Sequence, residues 1–294
     1  MTVDNVNTIG DLLQWVEYQF DKAELFFGHG TDNPWDEAVQ LVLYALQLPL
    51  YSGNEVLTQQ VTHTQTEAVK ALVARRIDEK IPLAYLTNCG WFAGLPFYVD
   101  ERVLVPRSPL AELVEQQFSP WLLESPKHIL DLCTGSGCIG IACAYAFPEA
   151  QVVLSDISGD ALAVANINIG DHGCSARVST LQSDLFERLT NHKFDLIVSN
   201  PPYVDAEDLA SMPDEFRHEP AIGLGSGTDG LDFTRRLLSE AGRYLNDGGT
   251  LIAEVGNSWQ ALDKLFPELP FTWLEFERGG HGVFYLTKEE LAGC

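Results

Sequence analysis

A doubly wound α/β sheet preceded by a small helical domain is the architecture this sequence predicts. Three observations predict it. From about Pro109 onward, short apolar runs with strand character alternate with helical periodicity, the pattern of a parallel sheet covered by helices. Upstream, from about Thr8 to Arg76, the only recurring spacing is helical. The last two strands, Thr272 to Phe276 and Val283 to Leu286, are separated by Gly279-Gly280-His281-Gly282 with no helix between them, so they should pair antiparallel.

The N-terminal elements follow in order. Ile9, Leu12, Leu13, Val16 and Phe20 recur at helical spacing, with Thr8 placed to cap the helix. Ala38, Leu41, Val42, Ala45 and Leu46 repeat the pattern, and Thr31 to Asn33 supply the capping chemistry there. These stripes read as the core of a helical domain over residues 1–86, with Met1 to Val6 expected to fray. Alternating apolar and polar residues around Gly90 and Gly94 predict a β-hairpin linker over 87–107. Ser108 followed by Pro109 reads as N-cap and first residue of a helix that opens a catalytic domain over 108–294. There is no internal repeat and no low-complexity segment.

Within that domain the strand ends carry the chemistry. His128 to Leu132 forms a strand that runs into a turn with Gly135, Gly137 and Gly140, then a helix from Ile139. The glycines satisfy G-x-G-x-x-G, a spacing shared by several nucleotide-binding folds. Dinucleotide binding and S-adenosyl-L-methionine binding both fit such a turn. Asp131 favours the second, because a carboxylate behind the loop attracts a cationic methionyl end and repels a pyrophosphate. The next strand ends at Asp156, placed to accept hydrogen bonds from the two ribose hydroxyls of a nucleoside. A third leads to Asp184, followed by apolar Leu185 and Phe186 that could sandwich an adenine.

The fourth strand, Phe194 to Ser199, stops abruptly in Asn200-Pro201-Pro202-Tyr203. Each proline fixes its own φ and disfavours helical geometry in the residue before it, so Asn200 and Pro201 should sit extended in a stiff loop. Such a loop presents the Asn200 amide oxygen and the Pro201 carbonyl side by side. Two acceptors in that arrangement suit a substrate –NH₂, with the Tyr203 ring available to cover the planar group. The stretch Asp205 to Gly230 reads as a long flap in which Glu219 either orders the loop or touches substrate. His281, in a turn, reads as solvent-exposed and idle.

These strand ends resemble those of class I S-adenosylmethionine-dependent methyltransferases, and more narrowly the protein-glutamine N5-methyltransferases, which carry Asn-Pro-Pro-Tyr after the fourth strand. The resemblance extends over nearly the whole chain, through Arg76 to Leu86, Trp91 to Val99, Val103 to Arg107 and Glu219 to Leu224. It implies a Rossmann-like seven-stranded sheet with an antiparallel last strand. It also implies that Asp131, Cys133, Thr134, Gly135 and Gly137 hold S-adenosyl-L-methionine together with Asp156, Asp184, Leu185 and Asn200, while Asn200, Pro201, Pro202 and Tyr203 form the catalytic tetrad. The helical domain would then help grip a protein substrate. Release-factor enzymes of this family usually follow Pro-Arg with a Pro-Asp/Glu-Thr-Glu sequence, whereas this chain has Ser108-Pro109-Leu110-Ala111-Glu112. That departure resembles the ribosomal branch, whose substrate is a glutamine of large-subunit ribosomal protein three.

Charge agrees with a basic protein partner. Eighteen basic against 42 acidic residues give a net charge of −24, which attracts basic partners and repels phosphate backbones. With no Lys/Arg run, direct nucleic-acid binding is not expected. Cys89, Cys133, Cys138, Cys143, Cys174 and Cys294 show no metal or disulfide spacing. A polar, acidic N-terminus and the lack of an apolar run of about 18 residues predict a cytoplasmic, membrane-independent chain. Four other readings stay open: a release-factor methyltransferase, a nucleic-acid exocyclic-amine methyltransferase, a silent adenosylmethionine-binding scaffold and a nicotinamide oxidoreductase.

Overall fold

The computed structural model describes residues 6–292, so Met1 to Asn5 of the segment expected to fray, and Cys294, lie outside the described residues. The chain divides into two compact units. One comprises residues 1–89 together with Pro213–His218, and the other comprises Gly90–Met212 and the chain from Glu219 onward. Residues of the hairpin from Gly90 therefore group with the second unit, and six residues of the flap group with the first.

In the first unit the helices are α1 (Ile9–Lys22), α2 (Pro34–Ala45), α3 (His63–Asp78) and α4 (Leu83–Thr87). Thr8 accepts from the Asp11 N–H while the Asp11 carboxylate takes the Thr8 N–H, a reciprocal cap at the predicted position. Asn33 caps α2, with Pro34 as its first residue. Leu12, Val16, Phe20, Leu41, Val42 and Val69 form the core between α1, α2 and α3. Arg76 of the same unit is only 1% exposed, and the carboxylates of Glu37 and Glu215 are buried with it. The guanidinium bonds Glu37 at 2.5 Å, Glu215 at 3.1 Å and the Phe26 carbonyl at 2.9 Å. Burial alone would raise the Glu215 carboxyl, yet the Phe26 N–H and Arg76 hold it below the usual range.

Removing one partner of a buried ion pair strands the others in a low dielectric. Arg76→Ala should therefore cost about 3–5 kcal/mol of stability, read as a lowered denaturation midpoint in urea. A loss below about 1 kcal/mol, the range of an exposed pair, would contradict this account.

The second unit opens with a hairpin of β1 (Gly90–Phe92) and β2 (Leu95–Phe97). Helix α5 (Leu110–Glu115) starts one residue later than the sequence suggests, although the Ser108 hydroxyl does accept the Leu110 N–H at 3.2 Å. There follow β3 (His128–Leu132), α6 (Cys138–Ala146), β4 (Gln151–Asp156), α7 (Gly159–Asp171), β5 (Val178–Gln182) and β6 (Phe194–Ser199). The remaining elements are α8 (Ala206–Ser211), α9 (Asp232–Ala241), β7 (Leu245–Glu254), α10 (Trp259–Leu265), β8 (Thr272–Trp273), β9 (Val283–Thr287) and α11 (Lys288–Leu291).

Seven strands form one sheet in the order β5-β4-β3-β6-β7-β9-β8. All neighbours are parallel except β9, which runs antiparallel to both β7 and β8. Alternation sorts the central strands between two cores. Ile129, Leu196, Val198 and Ile252 face α5, α6 and α7, whereas Leu130, Leu132, Ile197 and Leu251 face α9, α10 and α11. Strands buried on both faces read as continuous apolar runs, as Leu196-Ile197-Val198 of β6 and Leu251-Ile252-Ala253 of β7 do. No helix of the described residues is long and apolar enough to cross a membrane.

Candidate active site at the carboxyl ends of the central strands

After β3 the chain proceeds to one side through β4 and β5, and β6 and β7 then fill the other side. The loops leaving β3 and β6 must diverge at this switch, the place where open α/β sheets bind ligands, outside the carboxyl ends of the strands. The two ends are pinned together by the Ser199 hydroxyl, which donates to the Leu132 carbonyl at 2.7 Å.

The loop after β3 is held in an unusual backbone path. Cys133 adopts φ +60° and Gly135 φ +54°. No atom lies within 4 Å of where a Gly135 side chain would begin, so a ligand can come up against the main chain there. Thr134 N–H bonds the Ser155 carbonyl at 3.0 Å, which ties the loop to β4. The Cys133 thiol is pushed well above its ordinary value by burial and by the charges of Asp156 and Asp131, so it is no thiolate nucleophile.

Asp131 is wholly buried. Its Oδ2 accepts the Thr134 hydroxyl at 2.5 Å and the Gly140 N–H at 2.8 Å, while Oδ1 has no hydrogen-bond partner among the described residues. Burial pushes this carboxyl up to about 7, with Asp156 adding repulsion. A buried acceptor without a donor is costly, and a cationic ligand group is what its chemistry lacks. Asp156, at the end of β4, takes the Gly135 N–H at 3.0 Å and the Ser158 N–H at 2.9 Å, so it also shapes the glycine turn. Burial raises its carboxyl too.

Asp184 stands at the third strand end and is paired with Arg236 at 3.0 Å. Leu185 holds φ +47°, and its side chain, like that of Phe186, is packed into the core. An apolar side chain left exposed beside them is Ile157, directly after Asp156 and 48% accessible. Sequence reasoning missed it; the signal was an isoleucine placed immediately after a strand-terminal acid.

At the end of β6, Pro201 is buried and Asn200 partly so. Among the described residues no group donates to the Asn200 side chain or to the Pro201 carbonyl. Tyr203 is tightly held: its N–H donates to the Leu224 carbonyl at 3.1 Å and its carbonyl accepts the Ser258 hydroxyl at 3.0 Å. Its hydroxyl donates to Glu254 Oε1 at 2.7 Å. Glu219, left undecided by the sequence, is 5% exposed and takes Arg107 on both oxygens, at 2.5 and 2.8 Å, besides the Val105 N–H at 2.9 Å. It ties the interior of the flap to the segment Val105 to Arg107. His281 is exposed, with Nε2 2.9 Å from Asn257 Oδ1. Glu254, which sequence reasoning did not single out, accepts the hydroxyl of Ser108, read from the sequence only as a helix cap; a lone carboxylate inside the run Thr250 to Val255 was the available signal.

Comparison with known proteins agrees with this geometry. The family model of the methyltransferase small domain matches residues 112–216. The ribosomal protein uL3 glutamine methyltransferase of Francisella tularensis is 47% identical over 291 residues, covering 98% of this chain and 93% of the relative. That of Neisseria gonorrhoeae is 49% identical over 290 residues, covering 98% and 97%. Among solved structures, the catalytic domain of hMettl16 in complex with a MAT2A 3′UTR hairpin superposes with a TM-score of 0.51 at 13% identity, covering 79% of this chain and 85% of that one. At that identity the likeness speaks for the class I methyltransferase fold alone.

Proposed function

The chain belongs to the ribosomal protein uL3 glutamine methyltransferases, and from that premise we propose that it transfers a methyl group from S-adenosyl-L-methionine to the side-chain amide nitrogen of a glutamine in ribosomal protein uL3. The observation that carries the reading is the pair of unengaged acceptors, Asn200 and Pro201, at the switch between β3 and β6. An amide nitrogen is a poor nucleophile because its lone pair is delocalised into the carbonyl. Accepting both of its N–H groups fixes the nitrogen and aims it, and such alignment can remove roughly 7–11 kcal/mol of a barrier at best. Tyr203 packs on the amide plane. The proton leaves the nitrogen after transfer, so no dedicated base is required.

The methyl donor supplies an electrophilic sulfonium methyl group when bound. Asp131 would meet its cationic end, the open backbone at Gly135 would admit it closely, and Asp156 would accept from the ribose hydroxyls. Cys133, Thr134, Gly137, Asp184 and Leu185 complete the strand ends around it, and Ile157 offers an apolar surface for the adenine. A net charge of −24 draws a basic protein segment toward the enzyme and repels a phosphate backbone.

Radiolabelled methyl transfer to separately purified uL3, release factor and rRNA tests the proposal. One methyl on a glutamine of uL3, located by mass spectrometry, is the expected product. Label confined to release factor or RNA would overturn the substrate assignment.

A further inference from the structure

We propose that Glu254 is the positioning residue that sets the angle of the Tyr203 ring, and that Ser108 holds Glu254 in place for that task. This deepens the reading of Tyr203 as the ring that covers the substrate amide, and it rests on that reading.

Glu254 is the last residue of β7 and only 5% exposed, in a strand whose neighbouring side chains are apolar. Both of its oxygens are occupied by hydroxyl donors: Oε1 by Tyr203 at 2.7 Å and Oε2 by Ser108 at 2.5 Å. The Tyr203 phenol is held well above its ordinary value by burial and by the Glu254 charge, so it stays protonated and donates. A buried carboxylate is costly, and apolar residues of similar volume in its place are often neutral or stabilising. Tyr203 has its main chain fixed by Leu224 and Ser258. One face of its ring lies on Gly256, where φ is +45° and an added Cβ would fall 2.4 Å from Cε2 of the ring. The hydroxyl end depends on Glu254. Ser108 is in turn oriented by the Leu110 N–H at the start of α5, so a rigid element stands behind the chain of contacts.

Glu254→Gln, Tyr203→Phe, Ser108→Ala and the combined Glu254→Gln/Tyr203→Phe enzyme test the proposal at full length. Glutamine keeps the shape but offers one acceptor oxygen to two hydroxyls. Glu254→Gln and Tyr203→Phe should each lower kcat for uL3 methylation by about 10-fold or more, with affinity for the methyl donor unchanged. The combined variant should be no slower than the slower single one, because Glu254 acts through the phenol. Ser108→Ala should give a smaller loss, absent in the Glu254→Gln background. Multiplicative losses in the combined variant, or full kcat in Glu254→Gln, would overturn the assignment.

A second readout needs no turnover. In protein labelled at tyrosine Cζ with carbon-13, the Tyr203 resonance, identified by its disappearance in Tyr203→Phe, should move in Glu254→Gln. An unmoved resonance would overturn the proposal. A wild-type enzyme silent toward uL3 would overturn the proposed function instead, and the resonance alone would then decide the role of Glu254.

Discussion

Asn200→Ala is expected to lower kcat for methyl transfer by about 10²–10³-fold, the range seen when one preorganised hydrogen-bonding group is removed from an active site. Affinity for the methyl donor, measured by calorimetry, should change little. The asymmetry follows from position. Asn200 directly follows the strand that meets β3 at the switch point, and its side chain is engaged by no described residue, so its acceptor is available to a substrate N–H. Alanine leaves the two prolines and the Tyr203 contacts untouched, so the loop keeps its path. What disappears is one of two acceptors that hold the nitrogen in line. Equal losses in donor affinity and in kcat would move Asn200 from the chemistry to the donor pocket.

Asp131 gives the second large effect, and it is visible in pH. Its carboxyl is pushed up to about 7 by burial, above the usual 3.8. A cationic donor end is attracted by the ionised form, so donor affinity should climb as pH rises from about 6 to 8 and level off beyond. Stability of the unliganded protein should move oppositely. The folded state holds this proton more tightly than the unfolded chain does, so the contribution is complete below 3.8 and is lost as pH rises through about 7. Asp131→Asn should flatten both profiles and weaken donor binding about 10-fold or more, since a charge contact inside a low dielectric is worth more than about 1.4 kcal/mol. Calorimetric titrations with the donor at pH 6, 7 and 8 check this directly. A pH-independent affinity in the wild type would show that the cationic group lies elsewhere.

Much of this site is legible in the sequence because its parts are local. Glycine at 135, an acid at the end of β4 and two prolines after β6 each act on the backbone within a few residues, and neighbouring parallel strands then bring the ends together automatically. The antiparallel last strand was equally legible, because the six residues between Phe276 and Val283 leave no room for a crossover helix. The caps at Thr8 and Asn33 follow from side chains that reach three residues ahead.

Other features came only with tertiary structure, and they share one physical cause: their partners lie far apart along the chain. Ser108 and Glu254 are 146 residues apart, Arg107 and Glu219 are 112 apart, and Arg76 and Glu215 are 139 apart. No periodicity or spacing rule connects such pairs; only the path of the chain through the fold does. Leu185 shows the same limit from the other side, since an apolar residue after a strand-terminal acid can line a ligand or enter the core. The left-handed backbone at Leu185 turns its side chain into the core, and Ile157, one strand away, offers exposed apolar surface. The sequence by itself determined where these strands end and which backbone positions are constrained there, because those constraints are local. Only the tertiary structure decided which buried charges hold those ends still, because that depends on long-range packing.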